Sequence, residues 1–333
     1  MYLENKSMSR NKYKILVVQG LHEEGLKLLE NRPDIEYQIL LSDNENEILA
    51  CAKDVDAITV RTAEITENII NNAKNLSVVS RHGVGFDSIN IKSLNKRKIP
   101  LTIAAHSNMI SVSEQAIFFI LALNKNVFYY DNFTRKADWT DRWNVRAFDI
   151  AKKNLLVIGF GRIGSNVVKR AHVFDMNIYV YDPYVDENFI KDAGAIKIDN
   201  IFENLPKMDV VTLHCPKNQE TLDLFTIKEF NEMKNTAFII NCARGGIIRE
   251  KDLYKALKNN IIMGAGLDVF EKEPTPKENP LLGLKNVILS PHIAGVTVES
   301  TIRMATETVQ NVLDVLDNNI NKDVVVNKKE IGM

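Results

Sequence analysis

Short apolar runs rich in Val and Ile recur along almost the whole chain, each closed by Gly, Asp or a polar residue and followed by an amphipathic stretch. This rhythm restricts the fold to parallel strands alternating with helices. From Lys14 the runs Ile15–Val18, Tyr37–Leu41, Ala57–Val60, Ser77–Ser80 and Leu101–Ala104 read as strands, with helical segments such as Glu23–Glu30 and Glu45–Lys53 between them. They predict a first doubly wound parallel sheet. A second series, Leu155–Gly159, Asn177–Tyr181, Met208–His214, Thr236–Asn241, Met263–Val269 and Val287–Ser290, predicts another sheet of about six strands. The length of 333 residues fits two such domains, with a cleft expected where their cores meet. Ser111–Leu123 reads as a buried helix joining the two units. Thr297–Leu316 places Ile302, Ala305, Val309, Val312, Leu313 and Leu316 at helical spacing without a strand of its own. A return of this helix onto the first domain would make that domain discontinuous, and spacing alone leaves the point open.

Charge and cysteine content exclude several classes of function. Forty-two Lys and Arg against forty-three Asp and Glu leave a formal charge of -1, so no global field draws the chain to nucleic acid or anionic lipid. Any anion site must be local. Cys51, Cys215 and Cys242 are odd in number and far apart, which argues against a disulfide framework or a four-ligand zinc site, and no metal is expected. The N-terminus, Met1 to Lys14, is polar, and the longest apolar run, Ala116 to Leu123, is far short of the roughly 20 residues of a membrane span. A soluble, cytoplasmic protein is expected.

Gly159-Phe160-Gly161-Arg162-Ile163-Gly164 directly follows the strand Leu155–Ile158 and opens a helical pattern through Val167, Val168 and Ala171. The triplet by itself is weak, but strand before and helix after are its discriminating context. The first Gly makes the tight turn, the second admits a pyrophosphate to the backbone, and the third lets helix pack on strand. Phosphates would sit at the helix N-terminus, over the amides of Arg162 and Ile163. Twenty-one residues after Gly161 the next strand ends at Asp182. A carboxylate there would accept both ribose hydroxyls of NAD and repel a 2′-phosphate, although a strand-end turn before Pro183 would use the same residue. Arg162 either adds charge for the pyrophosphate or lies on the helix surface.

Ligands of open parallel sheets bind outside the carboxyl ends of strands, and three polar segments fall there. Asn241-Cys242-Ala243-Arg244-Gly245-Gly246 carries an arginine on a Gly-flanked turn that can fork onto a carboxylate and polarise the adjacent carbonyl, or be an exposed loop residue. Gly266–Pro274 ends another strand, and Ser290-Pro291-His292-Ile293-Ala294-Gly295 ends the last. A His with an acidic partner is the simplest device for moving the proton that accompanies a hydride. A lone His is more often structural than catalytic.

Together these segments resemble the three signatures of the D-isomer-specific 2-hydroxyacid dehydrogenases, and Arg81-His82-Gly83-Val84-Gly85-Phe86-Asp87 upstream completes the pattern. The similarity runs from about Ile15 to about Leu316 with all motifs in family order. The resemblance implies that Arg244 binds the substrate carboxylate and carbonyl, that Glu273 pairs with His292 and favours its charged form, and that His292 gives or takes the hydroxyl proton. It further implies that Gly83, Val84 and Gly85 offer N–H groups to the carboxylate. Asp268 resembles the aspartate near the nicotinamide amide, and Asn108 and Glu114 match the start of an inter-domain helix, with Asn108 counted among the substrate-binding residues. The implied fold is α/β, with two doubly wound parallel-sheet domains of Rossmann type. Residues 1–105 and 297–333 would form a flavodoxin-like substrate domain, and 106–296 an inserted NAD-binding domain that builds a homodimer. Where many relatives carry Asn, then Pro and Gly, before Asn108, this chain reads Ile103-Ala104-Ala105-His106-Ser107. His106 and His82 read as polar strand-end residues that can reach the cleft, and Glu271 as a solvated surface acid.

Arg61 and Arg81 both follow strands at the edge that should bind ligand. A monocarboxylate needs only Arg244 and the glycine amides, so extra fixed charge suits a second anionic group. These two residues resemble the arginines of phosphoglycerate dehydrogenases, and Trp139–Arg146, with Arg142 and Arg146, resembles a basic loop there. Surface pairing with Glu64 or Asp87 is the competing explanation. The chain stops at Met333, and a C-terminal regulatory domain with serine feedback is not expected. The expected activity is NAD-dependent hydride transfer to or from C2 of a 2-hydroxy or 2-oxo acid, with 3-phosphoglycerate or another doubly anionic acid as candidate substrate. The alternatives are a glyoxylate/hydroxypyruvate reductase and a non-enzymatic NAD-sensing binding protein of the same fold. Formate dehydrogenases of this fold carry Gln in place of the family Glu, so Glu273 speaks against formate.

Overall fold

The computed structural model of the chain describes residues 12–140 and 142–333; the polar N-terminal stretch through Asn11, and one residue of the Trp139–Arg146 segment, lie outside the described residues. Two compact units are present, one running to Asn108 and resuming at Val296–Met333, the other Met109–Gly295.

In the first unit the strands are β1 (Tyr13–Val18), β2 (Ile35–Leu40), β3 (Ala57–Val60), β4 (Val78–Arg81) and β5 (Leu101–Ile103). They form one parallel sheet in the order β2-β1-β3-β4-β5, the flavodoxin-like order. The central runs became strands because both faces are covered: Ile15–Val18 and Ala57–Val60 are buried throughout, whereas β2 lies at the sheet edge and is largely exposed. Fully burying a Val, Ile or Leu gains about 1.5–3 kcal/mol, enough for runs of four to set the register.

The helix Val298–Leu316 belongs to this unit. Val309, Val312, Leu313 and Leu316 pack with Ile15, Val17, Ala57 and Val78, and Gly25 admits the close approach, since a Cβ there would meet the Ala305 backbone at 2.8 Å. Ser80 Oγ donates to the Thr308 carbonyl at 2.9 Å, and Asn311 Nδ2 to the Ile103 carbonyl at 3.0 Å. The first unit is therefore built from both ends of the chain. It extends to Asn108, three residues past the limit expected from sequence, and resumes at Val296, one residue early. The same helix explains the shift: Glu307 accepts the His106 N–H at 3.2 Å and the Ser107 hydroxyl, while Arg303 Nε donates to the Ser107 carbonyl at 2.9 Å.

The second unit holds β6 (Asn154–Ile158), β7 (Asn177–Tyr181), β8 (Ile196–Lys197), β9 (Val210–Leu213), β10 (Phe238–Asn241), β11 (Gly264–Leu267) and β12 (Val287–Leu289). Their parallel sheet has the order β12-β11-β10-β9-β6-β7-β8, which reverses between β6 and β9. It has seven strands rather than about six: β8 is two residues long and its Ile196 is 56% exposed, so no apolar run announces it. The helix Met109–Asn124 packs inside this unit, with Phe119 and Ile120 fully buried among Leu155, Val157 and Ile240. Gly266 makes room for it, because a Cβ there would come within 2.7 Å of the Phe119 ring.

Candidate active site

The reversal of strand order between β6 and β9 is where a doubly wound sheet opens a crevice, and the glycine turn after β6 occupies it. Gly159 has a φ of 93°, and a Cβ there would meet the His214 carbonyl at 2.7 Å. At Gly164 a Cβ would come within 1.9 Å of the Gly159 carbonyl oxygen, so the helix Arg162–Val173 seats on the turn only as glycine. Gly161 differs, since a Cβ there meets nothing within 4 Å. Gly161 is also the N-cap of that helix, and no side chain caps it. Open space before uncapped amides fits the pyrophosphate of a dinucleotide. Asp182, just past the end of β7, accepts the Phe160 N–H at 2.8 Å on Oδ2 and the Tyr184 N–H at 2.9 Å on Oδ1. The carboxylate is thereby fixed beside the turn, each oxygen keeping lone-pair capacity for a ribose hydroxyl. Arg162 and Ile163 open the helix, with Arg162 exposed.

The carboxyl ends of β10, β11 and β12 assemble the catalytic candidates. Asn241 organises the first loop as an Asx turn: Oδ1 accepts the Ala243 N–H at 3.0 Å and Nδ2 donates to the Arg244 carbonyl at 2.9 Å. Its role carries no separate signal in the sequence beyond an Asn closing a buried strand. Gly245 then passes against the next loop, where a Cβ would stand 1.7 Å from the Phe270 carbonyl oxygen. Phe270 in turn donates its N–H to Glu273 Oε1 at 2.9 Å.

Glu273 Oε2 lies 2.6 Å from His292 Nδ1. Burial alone would push the Glu273 carboxyl up, but the bonds from His292 and Phe270 and the nearby charges of His292 and Arg244 together hold it below the usual carboxylate value. The carboxylate is therefore ionised at neutral pH and fixes the imidazole ring. His292 adopts a φ of 56°, rare for a residue with a Cβ, and its N–H donates to the Asp268 carbonyl at 2.8 Å.

Asp268 is 1% exposed, and its carboxylate is held by the His292 loop. Oδ1 accepts the Ser290 hydroxyl at 2.5 Å and the Ile293 N–H at 2.9 Å, while Oδ2 accepts the Ala294 N–H at 2.9 Å. Burial pushes its carboxyl up and these bonds pull it back only in part. Glu271 is exposed as expected but engaged: it accepts the Glu250 N–H at 2.7 Å, and its own N–H donates to Glu250 Oε1 at 2.5 Å. The reciprocal pair anchors the segment that carries Glu273 to the helix Glu250–Lys258.

In the first unit, Val60 pairs with Arg81 across β3 and β4, so Arg61 and His82 leave the sheet side by side. Arg61 Nη1 donates to the Gln19 carbonyl at 3.2 Å, and Arg81 Nη1 to the His82 carbonyl. Burial first, then the charges of Arg81 and Arg61, drives the His82 pKa down to about 4. Gly83, with a φ of 126°, admits the Arg81 guanidinium, which a Cβ would meet at 1.7 Å. The N–H groups of Gly83, Val84 and Gly85 carry no hydrogen bond to any described residue, and Asn108 Oδ1 is buried without a partner among the described residues. Arg142 and Arg146 lie in the second unit over aromatic rings, Arg142 4.8 Å from Trp143 and Arg146 4.8 Å from Tyr129. Among the described residues no cluster of His, Cys, Asp and Glu has the makings of a metal site.

Residues 117–294 match the sequence profile of the D-isomer specific 2-hydroxyacid dehydrogenase NAD-binding domain. The chain belongs to that family. The matched residues contain the glycine turn, Asp182, Arg244, Glu273 and His292, so the dinucleotide expected at the turn is NAD. A family relative, the D-3-phosphoglycerate dehydrogenase of Methanocaldococcus jannaschii, is 38% identical over 313 residues, covering 94% of this chain but only 59% of that protein. The glyoxylate reductase of Korarchaeum cryptofilum is 32% identical over 326 residues, covering 94% of this chain and 97% of its own length. Among solved structures, D-lactate dehydrogenase from Aquifex aeolicus, complexed with NAD and lactic acid, superposes with a TM-score of 0.83 at 28% identity, over 94% of this chain and 98% of that one.

Proposed function

We propose that this chain is an NAD-dependent D-2-hydroxyacid dehydrogenase whose substrate is 3-phosphoglycerate or another doubly anionic 2-hydroxy acid. The observation that carries the activity is the Glu273–His292 pair, bonded at 2.6 Å beyond the strand edge that also presents Arg244. NAD, when bound at the glycine turn, supplies the hydride acceptor or donor. With Nδ1 held by Glu273, His292 turns Nε2 to the substrate, takes the C2 hydroxyl proton in oxidation and returns it to the carbonyl oxygen in reduction. Arg244 forks onto the carboxylate, and Gly83, Val84 and Gly85 offer it further donors. Asn241, Asp268 and Glu273 act through the groups they hold and are positioning residues.

The second anionic group rests on Arg61 and Arg81. Among the described residues no carboxylate pairs with Arg61, and the charges of Arg81 and Arg61 add to burial in lowering the pKa of His82 at that strand edge. A second reading, reduction of glyoxylate or hydroxypyruvate, is favoured by a relative matched over nearly its full length, a glyoxylate reductase. The ratio of kcat/KM for 3-phosphohydroxypyruvate to that for glyoxylate decides between them. A ratio well above one supports the doubly anionic acid, and a ratio below one supports the small monoacid.

The assembly proposed is a homodimer through the second unit, where Phe118, Phe128, Trp139, Trp143 and Val145 are 45–80% exposed. Light scattering on the eluted protein tests it, and a monomer at micromolar concentration contradicts it. Three free cysteines fit a reducing, cytoplasmic setting.

A further inference from the structure

The loops after β7 and β9 flank the glycine turn, because β6 lies between those two strands. The first loop carries Tyr184, the second Glu220, and the Tyr184 hydroxyl donates to Glu220 Oε2 at 2.5 Å. This bond joins the two loops that flank the turn, and Tyr184 stands two residues past Asp182. Both of its ends rest on fixed backbone. Asp182 Oδ1 holds the Tyr184 N–H at 2.9 Å, while Asn218 Oδ1 accepts the N–H groups of Glu220 at 2.9 Å and Thr221 at 3.0 Å in a second Asx turn. At the root of these loops the Gly159 turn lies directly against the His214–Cys215 backbone. The Tyr184 side chain is 76% exposed, so packing does not account for its position.

We propose that Tyr184 and Glu220 form a clasp over the adenosine end of the bound dinucleotide and set how fast it enters and leaves. The inference rests on the reading of the glycine turn and Asp182 as the adenosine site. Donation to the Glu220 carboxylate, with a little desolvation and the neighbouring acidic charges, raises the Tyr184 pKa and keeps the phenol a donor at neutral pH. A carboxylate accepting from a phenol at this separation is a charge-assisted bond, stronger than a neutral pair. An exposed strap of this kind is a kinetic barrier, since it must part for passage in either direction.

The test is stopped-flow measurement of NADH binding and release by the full chain, with Tyr184→Phe, Glu220→Gln, the double variant and Asp182→Ala. Loss of one such bond predicts about a fivefold faster release in each single variant, with faster association as well and a smaller change in Kd. The double variant should release NADH no faster than the singles, because both remove the same bond. Unchanged rates in both single variants overturn the clasp, as does a double variant whose effect is the product of the two. Asp182→Ala separates the two levels: a raised Kd supports the adenosine site, and an unchanged Kd overturns the site and the clasp with it. Both clasp variants alter exposed side-chain tips, and circular dichroism melting of each checks the fold.

Discussion

Oε2 of Glu273 stands 2.6 Å from Nδ1 of His292, and the other oxygen of the same carboxylate accepts the N–H of Phe270 at 2.9 Å. The ring is thus aimed by a carboxylate that is itself aimed by the backbone. His292→Asn keeps a polar side chain in the loop but removes the proton carrier. Turnover should fall by about 10²–10⁴-fold while NADH binding, followed by fluorescence, is retained. Unchanged turnover would remove His292 from the chemistry.

The depressed pKa of Glu273 gives a signed pH dependence. Its carboxyl titrates lower in the folded chain than in the unfolded one, so the unfolded state binds the proton first as pH falls. The stability contributed by the ionised Glu273 is present above its ordinary value of 4.5 and is lost as pH falls through the lower folded value. Urea unfolding should show wild type exceeding Glu273→Gln at pH 7, with the gap closing in acid. A gap that is constant from pH 7 into acid contradicts the account.

Asp182 touches both the glycine turn and the loop of Tyr184, and its charge faces the expected ribose. Asp182→Ala should weaken NADH binding at equilibrium and relax discrimination against NADPH, read as the ratio of the two Kd values. The same ratio in both proteins would refute the ribose role.

Arg61 and Arg81 supply a contrast between substrates. If they hold a second anionic group, Arg61→Ala raises KM for 3-phosphohydroxypyruvate by about 10-fold or more, in line with loss of a charged hydrogen bond, and leaves KM for glyoxylate nearly unchanged. Equal effects on both acids would return these residues to a structural part.

Gly245 tests the coupling of two loops. A Cβ there would sit 1.7 Å from the Phe270 carbonyl oxygen, a backbone atom that does not rotate away. Gly245→Ala should cost about 1–3 kcal/mol of stability, as overpacking does, and lower turnover by moving Arg244 and Glu273 apart. Wild-type melting and turnover would show that the loops are independent.

Most of the sheet architecture was legible because its central strands are buried on both faces and read as unbroken apolar runs, while an outer strand such as Asn177–Tyr181 still alternates buried and half-exposed residues. Ala57–Val60 and Asn177–Tyr181 form with the bounds the sequence predicts. The run Met263–Val269 overshoots β11 because burial continues past the strand: Val269 and Phe270 are 3% and 8% exposed in the following loop. β8 escaped because an exposed two-residue edge strand has no periodicity to detect. The site shows the same division. Arg244, Glu273 and His292 stand in short motifs at strand ends, where residue type and position carry the signal. The partners of Asp268, the contact of Gly245 with Phe270 and the grip of Glu307 on Ser107 join residues far apart in sequence, and only the fold brings them together.

Everything proposed for the site requires that this chain oxidise NADH at the expense of a 2-oxo acid. The most direct measurement is the rate of NADH oxidation by the purified chain with 3-phosphohydroxypyruvate, hydroxypyruvate, sulfopyruvate, glyoxylate and pyruvate, each repeated with His292→Asn. Turnover is expected with at least one of these acids, highest with a doubly anionic one, and its loss in the variant. NADH binding without turnover on any of the five would contradict it and leave a dinucleotide-binding protein.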